Sequence, residues 1–292
     1  MEKIFSRDII IMVIKMIYLI ITALCYTICT ISDKYSISKY SLNGNNFTFL
    51  MAASSCVFML PTLFLTEVRF KISIGSFLTI ALLIIDKTAE FATSAAVLKK
   101  LSGFETKAWL GTAMFLSYFT DIMFFEEKFE VIKLLFIFIV CGCLVIMVKD
   151  GKNTEKERYK GIKILLVLYI LSKYFYGLII KAGSDSISPT AGVFSVMVII
   201  TVIYYFKANI HELVNEKRIG SVIVSLTRIP NTVGIICENI LIGTSLTMYS
   251  MEQPTILAML LIWSFVRREN TSRISIISGI VCLIAVFAFK LI

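Results

Sequence analysis

The chain has 292 residues, 58% of them hydrophobic and 17% charged, with a mean hydropathy of +0.85 and a formal net charge of +9. Such a balance excludes an ordinary soluble domain, which has no use for so much apolar surface. The scattering of Lys and Arg among short polar stretches excludes a nucleic-acid-binding patch and suits loops that touch anionic lipid headgroups.

Apolar runs of about 20 residues, the length that crosses roughly 30 Å of hydrocarbon as a helix, recur along the whole chain. Ten spans are predicted, over 9–31, 46–65, 73–97, 105–124, 130–149, 161–182, 188–206, 219–243, 245–266 and 272–291. The first follows a charged start. Its apolar run is too long for a signal-peptide core and lacks a small-residue cleavage site, so it reads as a retained helix. The expected fold is an all-α, multi-pass integral membrane protein of ten transmembrane helices, which in a bacterium would lie in the cell membrane. Cysteines 25, 29, 56, 141, 143, 237 and 282 all fall inside the apolar runs with no second ligand pair nearby. They read as buried thiols rather than a disulfide framework or a metal site.

The third span contains LLIIDKTAEFATSAAVL (82–98), with Asp86, Lys87 and Glu90 in its middle. Each charge at the bilayer centre costs roughly 2.5–3.5 kcal/mol, against about 0.3–0.6 kcal/mol returned by each Leu, Ile, Phe or Val. This span therefore depends on partners inside a bundle. Asp86 and Glu90 share a helix face, and Lys87, about 100° round from Asp86, can pair with either. The fourth span ends near Asp121, and the turn before the fifth holds Glu127.

The longest polar stretch, KDGKNTEKERYKGIK from Lys149 to Lys163, divides the chain into a first five-helix unit (1–149), a linker (150–160) and a second five-helix unit (161–292). The sixth span carries Lys173 near its middle, with Tyr174 and Tyr176 beside it. His211, the single histidine, sits in a polar loop without a partner motif and is given no chemistry. The eighth span contains TRIPNTVG and then Glu238. There Pro230 removes a backbone hydrogen bond and Gly234 loosens the next turn, freeing carbonyls near Arg228 and Asn231. Interrupted helices near the midplane often mark transporter sites.

The halves resemble each other. ISDKYSIS with Lys34 follows span one as LIIKAGSDSIS with Lys181 closes span six. FFEEKFEVIK and FVRRENTSRIS set Glu127 against Glu269, as helix caps or fold markers, and the same offset places Arg228 on Asp86. Five is odd, so the second unit enters the membrane upside down relative to the first, an inverted repeat of the kind secondary transporters build around one central site.

The five-helix unit used twice, FFEEKFEVI before the fifth span, and EQPTILAMLLIWSFVRRE in the ninth together resemble the drug/metabolite transporter superfamily, particularly its EamA-like branch, over nearly the whole chain. The first half departs from the pattern at Thr112, near where the second has Pro254, and at Phe136, where Gly279 stands in the tenth span. The resemblance implies cytoplasmic termini. The larger share of Lys and Arg in loops after odd-numbered spans favours the opposite orientation.

The function expected is secondary transport of a small polar organic metabolite by alternating access. The substrate is zwitterionic or carries an anionic group, such as an amino acid or a nucleotide-linked compound. The candidate substrate-cavity residues are Asp86, Lys87, Glu90, Lys173, Tyr174, Arg228, Asn231 and Glu238, because ionisable groups inside a membrane default to function. The bland alternative is that these charges only staple helices, with Arg228 paired to Asp86 or Glu238. Within transporters the competing reading is a proton-coupled multidrug or cation exporter of the same superfamily. Those rely on an acid in the first helix, where this chain has Lys15. Outside that class stand a channel or a membrane scaffold. No HExxH, GxSxG or DxD-like pattern points to an enzyme. The reading calls for no cofactor and no metal. Its partners are membrane lipids and the small-molecule substrate, with room for a coupling proton or ion and for a homodimer, and none is nucleic acid.

Overall fold

Each of the four prolines stands at a helix break or a helix start. The computed structural model describes residues 2–66, 68–101, 103–150, 161–266 and 273–291. Nearly all of the sequence-predicted linker, together with Glu269, lies outside the described residues. Helix α1 spans Glu2–Tyr40, and α2 (Gly44–Met59) starts where the Asn43 side chain accepts a hydrogen bond from Asn46 N at 2.7 Å. Pro61 separates α2 from the single turn α3 (Thr62–Leu65), and Ser73 caps α4 (Ile74–Lys100). Then come α5 (Gly103–Gly111), α6 (Met114–Phe124) and α7 (Val131–Asp150). The second half comprises α8 (Lys163–Gly183), α9 (Pro189–Tyr205), α10 (Arg218–Leu226), α11 (Arg228–Thr244), α12 (Leu246–Ser250), α13 (Glu252–Val266) and α14 (Arg273–Leu291).

Pro189 opens α9, a position where its missing N–H costs nothing. Pro230 cannot bond the carbonyl of Leu226 four residues back, and α10 ends at Leu226. Pro254 does the same to Ser250, and α12 ends at Ser250. The break between α5 and α6 has no proline. There Thr112 folds back, its hydroxyl donating to Trp109 O at 2.6 Å. Gly111 lies so close to the partner helices that a Cβ would stand 2.6 Å from Leu144 and 3.4 Å from Pro254, so the two broken helices cross near their breaks.

No β-strand forms among the described residues, only an antiparallel bridge between Phe70 and Ile187. By length and composition, Val13–Tyr40, Gly44–Leu65, Lys163–Gly183 and Arg218–Thr244 can each cross a membrane. The outer surface is apolar, with Ile85 68% and Val131 69% exposed, whereas Arg228, Glu238 and Asp121 are each only 1% exposed. This apolar outside around a charged inside is the pattern of a membrane bundle. Helix association in lipid draws on close packing and interhelical polar contacts rather than on a hydrophobic drive. Hydroxyl pairs of that kind join Ser54 to Ser225 at 2.9 Å and Ser117 to Ser250.

The main contacts run between α1 and α10–α11, α4 and α8, α2 and α9, α7 and α14, and between the broken pairs α5–α6 and α12–α13. One apolar core surrounds Tyr26, Phe91, Tyr176 and Tyr249 at the centre, and a second gathers α7, α13 and α14. Where the predicted first span stops at residue 31, α1 runs on to Tyr40 and carries Asp33 and Lys34 on the helix.

Candidate functional site

A cavity of about 90 Å³ lies among α1, α2, α4, α5, α8, α9 and α11. Seen along α4, residues Lys87, Phe91, Ser94 and Leu98 recur every three or four positions and form the stripe that faces it. Glu90, on the flank of that stripe, divides its oxygens between two lysines: Oε1 lies 2.7 Å from Lys173 Nζ and Oε2 lies 2.6 Å from Lys87 Nζ. Lys87 Nζ also rests 3.5 Å from the centre of the Tyr176 ring, whose negative face attracts a cation. This cluster joins α4 to α8 at the middle of both helices.

Arg228 begins α11 just past the proline-induced break and is the largest fully buried side chain among the described residues. One of its amino groups donates to Asp33 Oδ1 at 2.5 Å and to Thr227 Oγ1 at 2.9 Å, while Nε donates to Val224 O at 3.2 Å. The thiol of Cys29 donates to Thr227 O at 3.2 Å, a second tie from α1 to the backbone at the break. Arg228 thus pairs with Asp33, where the sequence suggested Asp86 or Glu238. Asp33 escapes the sequence reading because the predicted first span stops two residues short of it; its signal is the acid one position before Lys34 in ISDKYSIS.

Glu238, one side of the cavity, accepts a 2.5 Å hydrogen bond from the Tyr26 hydroxyl on Oε2, and no donor among the described residues reaches Oε1. Gly234, one turn earlier, permits this contact, since a Cβ there would meet the Tyr26 ring at 2.7 Å. Across the cavity Lys107 donates to Gln253 Oε1 at 3.2 Å, and Gln253 Nε2 donates to Glu252 Oε1 at 3.0 Å. Lys107 and Glu252 were also missed. Each stands in the first turns of a predicted span, where a charge reads as an end marker, but the broken helices α5 and α13 carry both residues inward.

Six of the eight residues singled out from sequence line this cavity: Lys87, Glu90, Lys173, Arg228, Asn231 and Glu238. Two do not. Asp86 lies about 100° from the Lys87 stripe and faces a groove of about 740 Å³ along the α4–α8 seam, lined by Leu82, Ile85, Leu168 and Phe175. Its Oδ2 is buried without a hydrogen-bond partner among the described residues. Tyr174 is turned from the cavity by the same geometry: its hydroxyl is 2.6 Å from Thr120 Oγ1. On α8 the aromatic that lines the cavity beside Lys173 is Tyr169, with Tyr176 under Lys87.

The two lysines matched by the repeat fasten helix ends outside the cavity. Lys181 pairs with Asp121 at 2.9 Å, and Asp121 also accepts from Leu246 N at 3.1 Å, Thr247 N at 2.7 Å and Thr247 Oγ1 at 2.8 Å, capping α12. Lys34 donates to the carbonyls of Leu98 and Leu101 at the end of α4. Glu127 is exposed in the turn before α7. The residue that precedes Val131 is Glu130, whose N–H donates to the Tyr118 hydroxyl at 3.0 Å and whose carboxylate pairs with Lys133 at 2.8 Å. The free thiols form no disulfide, and no group of metal-ligating side chains occurs among the described residues. Comparison with protein-family models and with curated protein sequences returned no match to either.

Proposed function

We propose that this chain is a secondary transporter that moves a small polar organic metabolite, zwitterionic or bearing an anionic group, by alternating access through a ten-span bundle of two inverted five-helix units. The observation that carries the reading is the cavity to which both halves bring charged side chains: Lys87, Glu90 and Lys107 from the first, Lys173, Arg228 and Glu238 from the second. Ion pairs alone would staple helices, and stapling needs no cavity at the centre of the pairs. A buried ion pair is weak support for stability in any case, because desolvation offsets most of the attraction.

Helix pairing supports the inverted arrangement. α1 lies on α10–α11 as α8 lies on α4, which are equivalent pairs if the units are related by a two-fold axis, and α2 with α9 and α7 with α14 pair like with like. Breaks at midspan in both α5–α6 and α12–α13 fit the discontinuous helices around which transporters build their sites. The drug/metabolite transporter resemblance rests on the same arrangement and on the marker stretches of the sequence. Purified chain reconstituted in proteoliposomes tests the reading. It predicts saturable uptake of a labelled metabolite with counterflow, and steady conductance that does not saturate contradicts it.

A further inference from the structure

Seven charged side chains line the cavity: Asp33, Lys87, Glu90, Lys107, Lys173, Arg228 and Glu238. Five of them are matched at short range, Glu90 with Lys87 and Lys173, and Asp33 with Arg228. The remaining two are of opposite sign. Among the described residues, Lys107 donates only to the neutral amide oxygen of Gln253, and Glu238 receives only the Tyr26 phenol, on one oxygen. The other oxygen of Glu238 is buried and has no donor among the described residues. A buried carboxylate in that state is missing a charge-assisted partner worth roughly twice an ordinary hydrogen bond.

The two open groups also fix what charges a ligand should bring. Lys107 is the fourth cation of the lining against three anions, and it reaches Glu252 behind the wall only through the neutral Gln253 amide. Asp86 is on the other side of α4, toward the lipid groove. An ion of a single sign answers only one of the two open groups and leaves the other without a partner in a low-dielectric interior. A ligand with one charge of each sign answers both.

We propose that the cavity binds a small zwitterion, with its ammonium on Glu238 Oε1 and its anionic end on Lys107 Nζ; this narrows the transport reading and rests on it for the purpose of the binding. A volume of about 90 Å³ favours a ligand of few atoms. Glycine and alanine are the probes, with acetate, propionate, methylammonium and ethylammonium as the half-molecules. Thermal unfolding of the purified full chain should rise saturably with glycine or alanine and with none of the half-molecules. Glu238→Gln and Lys107→Gln should each weaken that response at least tenfold.

The proposal is overturned if neither amino acid shifts the transition, if propionate acts as strongly as alanine, or if Glu238→Gln binds within twofold of the parent. Should a variant not fold, the half-molecule comparison on the unaltered chain decides alone. Proteoliposome flux separates the two claims. Saturable flux of a monoanion without zwitterion binding overturns the zwitterion site and leaves transport standing, whereas zwitterion binding without flux does the reverse.

Discussion

Glu90 and Asp86 stand one helical turn apart on α4, both carboxylates and both more than nine-tenths buried, at 6% and 7% exposure. Glu90 is held by two lysines at 2.7 and 2.6 Å, while Asp86 has an oxygen with no partner and borders an apolar groove. Burial is shared between them and neighbours are not. What a buried charge does for a membrane bundle is therefore set by its neighbours, which the roughly 40° of helix rotation between residues four apart is enough to change. Substitutions at Glu90, Arg228, Asp121, Asp86 and Glu212 test that contrast.

The largest effect is expected at Glu90. Glu90→Leu strands both Lys87 and Lys173 inside the bundle, and removing one member of a buried pair costs about 3–5 kcal/mol. Folded yield and the thermal transition in detergent should both collapse. Arg228→Met leaves Asp33 in the same state and should cost nearly as much. Combining it with Asp33→Leu should restore most of the loss, a recovery that a double-mutant cycle reads directly. Failure to recover would mean that the two residues do not act as a pair.

Asp121→Asn comes next. The amide keeps an acceptor for α12 but gives up the charge facing Lys181, a loss of about 1–3 kcal/mol visible as a lower transition temperature. Asp86→Asn should move the other way. With no ion pair among the described residues to lose, it should be neutral or raise stability by up to about 1 kcal/mol, and a drop like that of Glu90→Leu would show that the carboxylate has a partner after all.

The smallest effect concerns the turn between α9 and α10, where Glu212 on the π-helical segment Glu212–Glu216 accepts hydrogen bonds from Lys217 and Asn46. Those bonds hold its carboxyl below the ordinary glutamate range. A depressed folded value adds stability that is fully present above the unfolded pKa and lost as pH falls through the folded one. The transition temperature should therefore fall slightly more on acidification in the parent than in Glu212→Gln.

Much of the architecture was legible in the sequence because lipid imposes a strong pattern: long apolar runs and prolines whose effect falls four residues back, at Leu226 and Ser250. The details of the cavity were less so. Asp33 was missed because α1 outruns its apolar stretch, and Lys107 and Glu252 because a charge near the start of a span looks like a boundary. Asp86 and Tyr174 could be placed on the right helices but not on the right faces, since rotation is fixed by contacts such as Gly234 against Tyr26 and Gly183 against Thr79 that no periodicity reports. The inverted order of the halves was suggested by paired turns, and Lys34 and Lys181 in those turns fasten different partners, backbone carbonyls in one case and Asp121 in the other.

The central claim is that the charge-lined cavity opens in turn to each side of the membrane. Cys29 lines that cavity and is a natural reporter. A membrane-impermeant thiol reagent added to one side of oriented vesicles, with modification of Cys29 quantified by peptide mass spectrometry, reads access from that side alone. Alternating access predicts slow, complete labelling from either side, and labelling from one side only, or from neither, contradicts it.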